Sequence, residues 1–159
     1  MRNHKKESAG LLMYRLRDGQ VEVLIVHPGG PYFSRKDAGV WGIPKGVVGA
    51  SEDKLAAAIR EFTEETGIQA DGQFVPLGSI VQRSGKIVHA WAFAGDWDDT
   101  QPIRSNRFPL EWPPGSGKTR EFPEVDRAAF LAVDAARKKM IPAQAALLDR
   151  LLEHLAAAD

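Results

Sequence analysis

Apolar positions recur along this chain in two rhythms. Residues 9–16 and 21–27 form two β-rich runs separated by Arg17-Asp18-Gly19-Gln20. Asp-Gly between such runs is a strong hairpin signal, so the chain is expected to open with a β-hairpin. Pro28-Gly29-Gly30-Pro31 ends the second strand, because proline lacks a donor and glycine disfavours extended order. A loop is then expected to about Val40. After Ser51 the rhythm changes: Leu55, Ile59 and Phe62 recur at helical spacing and Gly67 follows. Ser51 as N-cap, Glu52 and Asp53 in the first turn and Gly67 at the end predict a helix of about four turns.

Residues 73–82 and 86–94 read as a second strand pair joined at Arg83-Ser84-Gly85. From 95 to 123 the composition shifts: Pro102, Pro109, Pro113, Pro114 and Pro123 interrupt a stretch with few periodic apolar residues. A loop of that length in a compact domain is usually functional or mobile. Residues 128–133 are expected to form a last strand. Residues 134–139 and 142–158 are expected to be helical, the latter with Pro142 in its first turn and Leu147, Leu148, Leu151, Leu152 and Leu155 along one side. Without a repeat or linker, residues 1–159 are expected to form a single domain.

Composition narrows the function classes. The chain carries 21 basic and 21 acidic side chains, a balance that argues against charge-driven binding of long nucleic acid. It has no cysteine, which removes disulfides, thiolate zinc sites and cysteine nucleophiles and suits a reducing compartment such as the cytoplasm. The basic start, Met1 to Lys6, leads into an apolar stretch over residues 9–14 that Arg15 and Arg17 break. That stretch is too short for a signal core or a membrane span, so a frayed end entering a strand is expected, with no membrane partner.

The helix at 52–66 carries more carboxylates than packing needs. At about 100° per residue, Leu55, Ile59, Phe62 and Thr66 share one side, while Glu61, Glu64 and Glu65 gather on a neighbouring sector. The glutamates form like-charge pairs at i,i+3 and i,i+4, each mildly destabilising on a free helix, near the end where the helix dipole disfavours anions. Such a face is ordinarily just solvated. It can also hold hard divalent cations, since magnesium takes a few carboxylates together with waters and substrate phosphates. The Gly-containing turn at Lys45-Gly46 could add backbone carbonyls.

The segment from Gly46 to Ile68 fits the pattern G-x5-E-x7-R-E-U-x-E-E-x-G-U at Gly46, Glu52, Arg60, Glu61, Phe62, Glu64, Glu65, Gly67 and Ile68. On these residues the chain resembles the Nudix hydrolases, and its order of elements fits the same family. The resemblance implies an α/β fold, a Nudix-type α/β/α sandwich with a central mixed sheet, and hydrolysis of a phosphoanhydride in a nucleoside diphosphate linked to another moiety. It implies Mg2+, with Mn2+ as a possible substitute, held by Glu61, Glu64, Glu65 and a carbonyl of Lys45 or Gly46. It makes Glu61 the base toward water and Arg60 the residue that orients a catalytic glutamate together with Glu52. A base or further ligand from a loop outside the motif would be Glu121 or Glu124.

For the substrate, Lys45 abuts the metal turn, and Tyr32, Lys118 and Arg83 are the further candidate binding residues, with Phe33 and Trp112 as other loop aromatics for stacking a base. Trp91 alternates within a strand and is expected in the core, and His27 and His89 on strands are not expected to bind metal. Gly115-Ser116-Gly117-Lys118-Thr119 imitates the end of a phosphate-binding loop, but Trp112 stands at the first glycine position and Pro123 blocks the helix that should follow. Markers of the ADP-ribose, dinucleoside polyphosphate and NADH branches are absent, since Arg83 stands at the proline position and Ser84 to Lys86 at the tyrosine position. The basic residues Arg83, Lys86, Lys118 and Arg120 favour a small anionic nucleotide, a dinucleoside polyphosphate or nucleoside triphosphate. The alternative is a non-catalytic nucleotide-binding sensor on the same fold. Oligomeric state is left open.

Overall fold

A computed structural model describes residues 7–158. The frayed start expected at Met1 to Lys6 lies outside the described residues. The elements are β1 (Glu7–Arg17), β2 (Gln20–Pro28), β3 (Lys45–Val47), α1 (Lys54–Thr66), β4 (Val75–Val81), β5 (Ile87–Ala94), β6 (Arg107–Glu111), β7 (Thr119–Pro123), β8 (Val125–Ala132), α2 (Val133–Lys139) and α3 (Ala145–Ala157).

β1 and β2 pair as the expected hairpin, and Asp18 (φ 54°) with Gly19 (φ 78°) supplies the two left-handed residues that a tight, correctly twisted turn needs. The main sheet runs β4-β5-β1-β2-β8 and is mixed, because β1 pairs in parallel with β5 while its other neighbours are antiparallel. The edge of β1 away from β5 is divided: Tyr14 to Arg17 pair with β2, and Ser8 to Gly10 pair with β3. The turn at Lys45-Gly46 is thereby fixed on the central strand of the sheet.

Alternation along β1 sends its side chains to two cores. Leu11 and Met13 pack with Ala57, Ala58 and Phe62 of α1 and with Phe93. Leu12 packs with Val23 and Ile25 and, across the opposite face, with Ala136, Met140, Leu147, Leu148 and Leu151. The fold is therefore an α/β/α sandwich with a central mixed sheet. Burying Phe62 completely, against Phe93 at 5.4 Å between ring centroids, contributes about 2–3 kcal/mol and clamps α1 to the sheet.

Three local readings change. The cap of α1 is Asp53 rather than Ser51: its carboxylate accepts the Ala56 N–H at 3.0 Å, and the helix begins at Lys54, leaving Glu52 outside. The segment from 95 to 123 is not one long loop. It contains a separate two-stranded ribbon, β6–β7, in which Phe108 pairs with Phe122; the prolines at 109 and 123 lie within these strands and hid them. Pro142 opens a short 3-10 turn, Pro142–Gln144, ahead of α3. Gly67 ends α1 as expected, with φ 77° and its N–H on the Thr63 carbonyl. Among the described residues no helix is long and apolar enough to cross a membrane.

Candidate active site

The Lys45-Gly46 turn lies across the last two turns of α1. A β-carbon on Gly46 would overlap the Glu61 carboxylate, so any other residue there would push that carboxylate out of its place. One residue earlier, the backbone N–H of Lys45 acts on the Glu65 carboxylate, opposing the upward push of burial. The three glutamates in the last turns of α1 therefore differ sharply. Glu65 is buried, Glu61 is nearly so with 13% of its side chain exposed, and Glu64 is 41% exposed.

Arg60 organises the solvent side of this group. Its guanidinium spans both oxygens of Glu52 at 2.8 Å, donates to Glu61 at 2.9 Å and to Glu64 at 3.2 Å, and reaches the Val47 carbonyl. Glu52 also accepts the Gly49 N–H at 3.0 Å. The Arg60 contacts and the Gly49 N–H hold the Glu52 carboxyl down at a pKa of about 2.

Glu65 shows the opposite behaviour. Burial, then repulsion from Glu61 and Glu124, raises it to about 8 despite Lys45. Burial also pushes the Lys45 ammonium below its ordinary range, assisted by Lys86, while burial and Glu61 push Glu124 upward. Glu65, Glu124 and Lys45 line one cavity of about 170 Å3 whose remaining walls include Val26, Val40, Ile43 and Gln144.

Among the described residues no three carboxylate or imidazole side chains already converge as a closed metal cage. The donor set nonetheless suits a hard divalent cation: crowded carboxylates whose mutual repulsion is relieved by added positive charge, beside a glycine turn open to their approach. Neither described histidine in the strands competes for it. His27 is engaged at Asp126 (2.7 Å) and at the Lys36 carbonyl (2.6 Å), and His89 faces Glu7 at 3.3 Å.

Lys45, Gly46, Glu52, Arg60, Glu61, Glu64 and Glu65 are thus brought together. Of the two loop acids, Glu124 enters the cavity, whereas Glu121 faces Arg107 at 3.8 Å on the ribbon. Tyr32, Lys118 and Arg83 do not line it. Tyr32 sets its ring edge-to-face against Trp112 at 5.4 Å, Lys118 lies in the β6–β7 turn without a P-loop helix behind it, and Arg83 is exposed in the β4–β5 turn. Lys86, not Arg83, is the β4–β5 residue whose charge acts on Lys45 and Glu124. Gln144 was not singled out from the sequence; a lone amide in the otherwise apolar run 141–148 is the only mark it leaves.

A family model described as the NUDIX domain matches residues 5–151. The chain belongs to the Nudix family. Nudix hydrolase 10 of Arabidopsis thaliana is 47% identical over 69 residues, which cover 43% of this chain and 24% of that protein. This chain therefore matches about a quarter of that Nudix relative's length. Among solved structures, a C. elegans Ap4A hydrolase binary complex is similar with a TM-score of 0.63 and 22% identity, covering 96% of this chain and 98% of that one. The NUDIX domain of Shewanella oneidensis NrtR complexed with ADP ribose gives a TM-score of 0.67 at 14% identity, covering 97% and 90%. Both likenesses concern the fold.

Proposed function

We propose that this chain, as a single Nudix domain, is a metal-dependent pyrophosphohydrolase that cleaves a phosphoanhydride in a small nucleoside polyphosphate. The observation that carries the reading is the grouping of Glu65 and Glu124 with Lys45 at one cavity, with Glu61 held against Gly46 and acting on both of those carboxylates. An anionic polyphosphate cannot approach those carboxylates unless positive charge intervenes. Glu61, Glu64, Glu65 and the turn carbonyls would hold Mg2+ or Mn2+, which when bound offsets charge on the phosphoryl oxygens and lowers the pKa of a coordinated water.

The chain's own residues would act as follows. Glu61 takes the proton from the attacking water, its position fixed by the Arg60 hydrogen bond and the Gly46 backbone. Glu52 holds Arg60 in place without touching substrate. Lys45 and Lys86 meet the polyphosphate, and Val26, Val40 and Ile43 exclude water from the adjoining wall. A nucleotide rather than another anhydride is favoured by the basic groups near the carboxylates and by likeness in fold to proteins solved as an Ap4A hydrolase complex and with ADP ribose.

The test is a substrate panel with Mg2+, covering dinucleoside polyphosphates, nucleoside triphosphates, ADP-ribose and diphosphoinositols and reading release of phosphate or nucleoside monophosphate. Wild-type turnover of a nucleotide, reduced by about 100-fold or more in Glu61→Gln and Glu65→Gln with the fold retained, is expected. Wild-type rates in both variants would refute the assignment. Tight nucleotide binding without turnover of any member would establish the sensor instead.

A further inference from the structure

After a turn at 38–40, Trp41 and Gly42 bridge β2 and the chain at 139–144 as a short strip. Gly39 and Trp41 donate to the Lys139 carbonyl at 2.9 and 3.1 Å, and Trp41 accepts from the Ile141 N–H at 2.8 Å. On the other side, Gly42 exchanges hydrogen bonds with Val26 at 2.9 and 3.0 Å. The strip ends at Pro44, which has no N–H to continue the pairing but whose carbonyl accepts from Leu11 at 3.2 Å.

Ile43 is therefore left with an N–H that the backbone on neither side takes up. Its partner is the side chain of Gln144, whose Oε1 accepts it at 2.9 Å. Gln144 is fully buried, and its Nε2 donates to Gln82 Oε1 at 2.9 Å. Since the Ile43 N–H can only donate, the amide oxygen must face it, and Gln82 holds the amide in that orientation. Gly42 is what permits the approach, because a β-carbon there would lie 2.6 Å from Gln144 Oε1. Gln82 itself closes the β4–β5 turn, its N–H bonding the Lys86 carbonyl at 2.8 Å.

Ile43 precedes by two residues Lys45, which lines the cavity with Glu65, and by three the glycine seated on Glu61. We propose that Gln144, oriented by Gln82, is a positioning residue for the Lys45-Gly46 turn, so that the β4–β5 turn and the start of the C-terminal helix set where the turn meets the carboxylates. The inference rests on the functional reading above for its metal-affinity and activity arms, while amide exchange tests it independently. A misplacement of about 1 Å in a reacting constellation costs roughly 100-fold, and groups that orient metal ligands carry about 10- to 100-fold in affinity or rate.

The test uses Gln144→Met, which keeps length and removes the acceptor, and Gln82→Leu, which frees the Gln144 amide while altering a half-buried strand end. Three quantities are read in each: amide hydrogen exchange at Ile43, Lys45 and Gly46, Mn2+ affinity by electron paramagnetic resonance, and kcat and KM on the best panel substrate. Expected are at least tenfold faster exchange at all three amides, Mn2+ binding weakened about tenfold and kcat lowered with KM nearly unchanged, with Gln82→Leu milder in each. Exchange and Mn2+ affinity within twofold of wild type in either folded variant overturn the proposal, whatever the loss in melting temperature. If Gln144→Met does not fold, Gln82→Leu decides. If wild type binds no Mn2+ and turns over no substrate, the functional reading fails, yet amide exchange still judges Gln144.

Discussion

Arg60 and Glu52 meet as a two-pronged ion pair, Nε and Nη2 each 2.8 Å from a separate carboxylate oxygen, although Glu52 lies ahead of the helix that carries Arg60. The pair ties the loop after β3 to the middle of α1, and the same guanidinium is a hydrogen-bond donor to Glu61. An ammonium cannot reproduce that fork. Arg60→Lys is expected to lower kcat about 10- to 100-fold with a native-like circular dichroism spectrum; an unchanged kcat would mean that Glu61 needs no such support.

The same pair gives an acid signature. Because Glu52 titrates near 2 rather than at its ordinary value near 4.5, its contribution to stability is complete above 4.5 and is lost as pH falls through 2. The melting-temperature gap between wild type and Glu52→Gln should be constant from pH 7 to 5 and close at lower pH.

Glu65 slopes the other way. With its pKa raised to about 8, the folded chain retains a proton that the unfolded chain has lost, so stability falls as pH rises from 4.5 toward 8. Without divalent cations, Glu65→Gln should melt above wild type at pH 8, by a few kcal/mol at most, with the gap shrinking toward pH 5. Added Mg2+ should raise the wild-type melting temperature more at pH 8 than at pH 6 and leave the variant nearly unmoved, since binding to the carboxylate expels the proton.

The two loop acids separate cleanly. Glu124→Gln is expected to reduce kcat by about tenfold or more, whereas Glu121→Gln, altering an exposed side chain beside Arg107, should stay within twofold of wild type. Paired kinetic assays decide, and equal effects would count against a role for the cavity-facing acid.

Gly46→Ala drives a methyl group into the Glu61 carboxylate, so activity should collapse while most stability remains. Gly67→Ala makes the contrasting control. There φ is 77° and the new β-carbon would lie 2.9 Å from the Arg104 β-carbon, so about 1 kcal/mol or more of stability is lost with the carboxylates in place. Thermal melts and kcat together distinguish the two.

Much of this was legible in the sequence because it is written locally. Alternation located β1 and β2, helical spacing and Gly67 located α1, and the constrained positions from Gly46 to Ile68 brought the carboxylates to one place. What was hidden depends on residues far apart in the chain. A helical wheel assigns Glu61, Glu64 and Glu65 one charged sector, yet the turn at Lys45 buries Glu65 and leaves Glu64 at the surface. Lys86 outranks Arg83 because strand pairing, not charge count, decides which side chain faces Lys45. The ribbon β6–β7 was masked by its own prolines, and the cap moved from Ser51 to Asp53 because Glu52 is drawn aside to Arg60.

The parallel pairing of β1 with β5 also governs how the molecule is made. Glu7 aligns with Ile87, so the central strand waits for chain eighty residues downstream before one of its edges is closed. Closing so long a loop slows folding relative to local contacts. A growing chain has its first hairpin and its glutamate-bearing helix early, while the edge that β5 will cover stays open. Fragments ending before residue 87 would present an apolar, unpaired strand edge, the usual seed of aggregation.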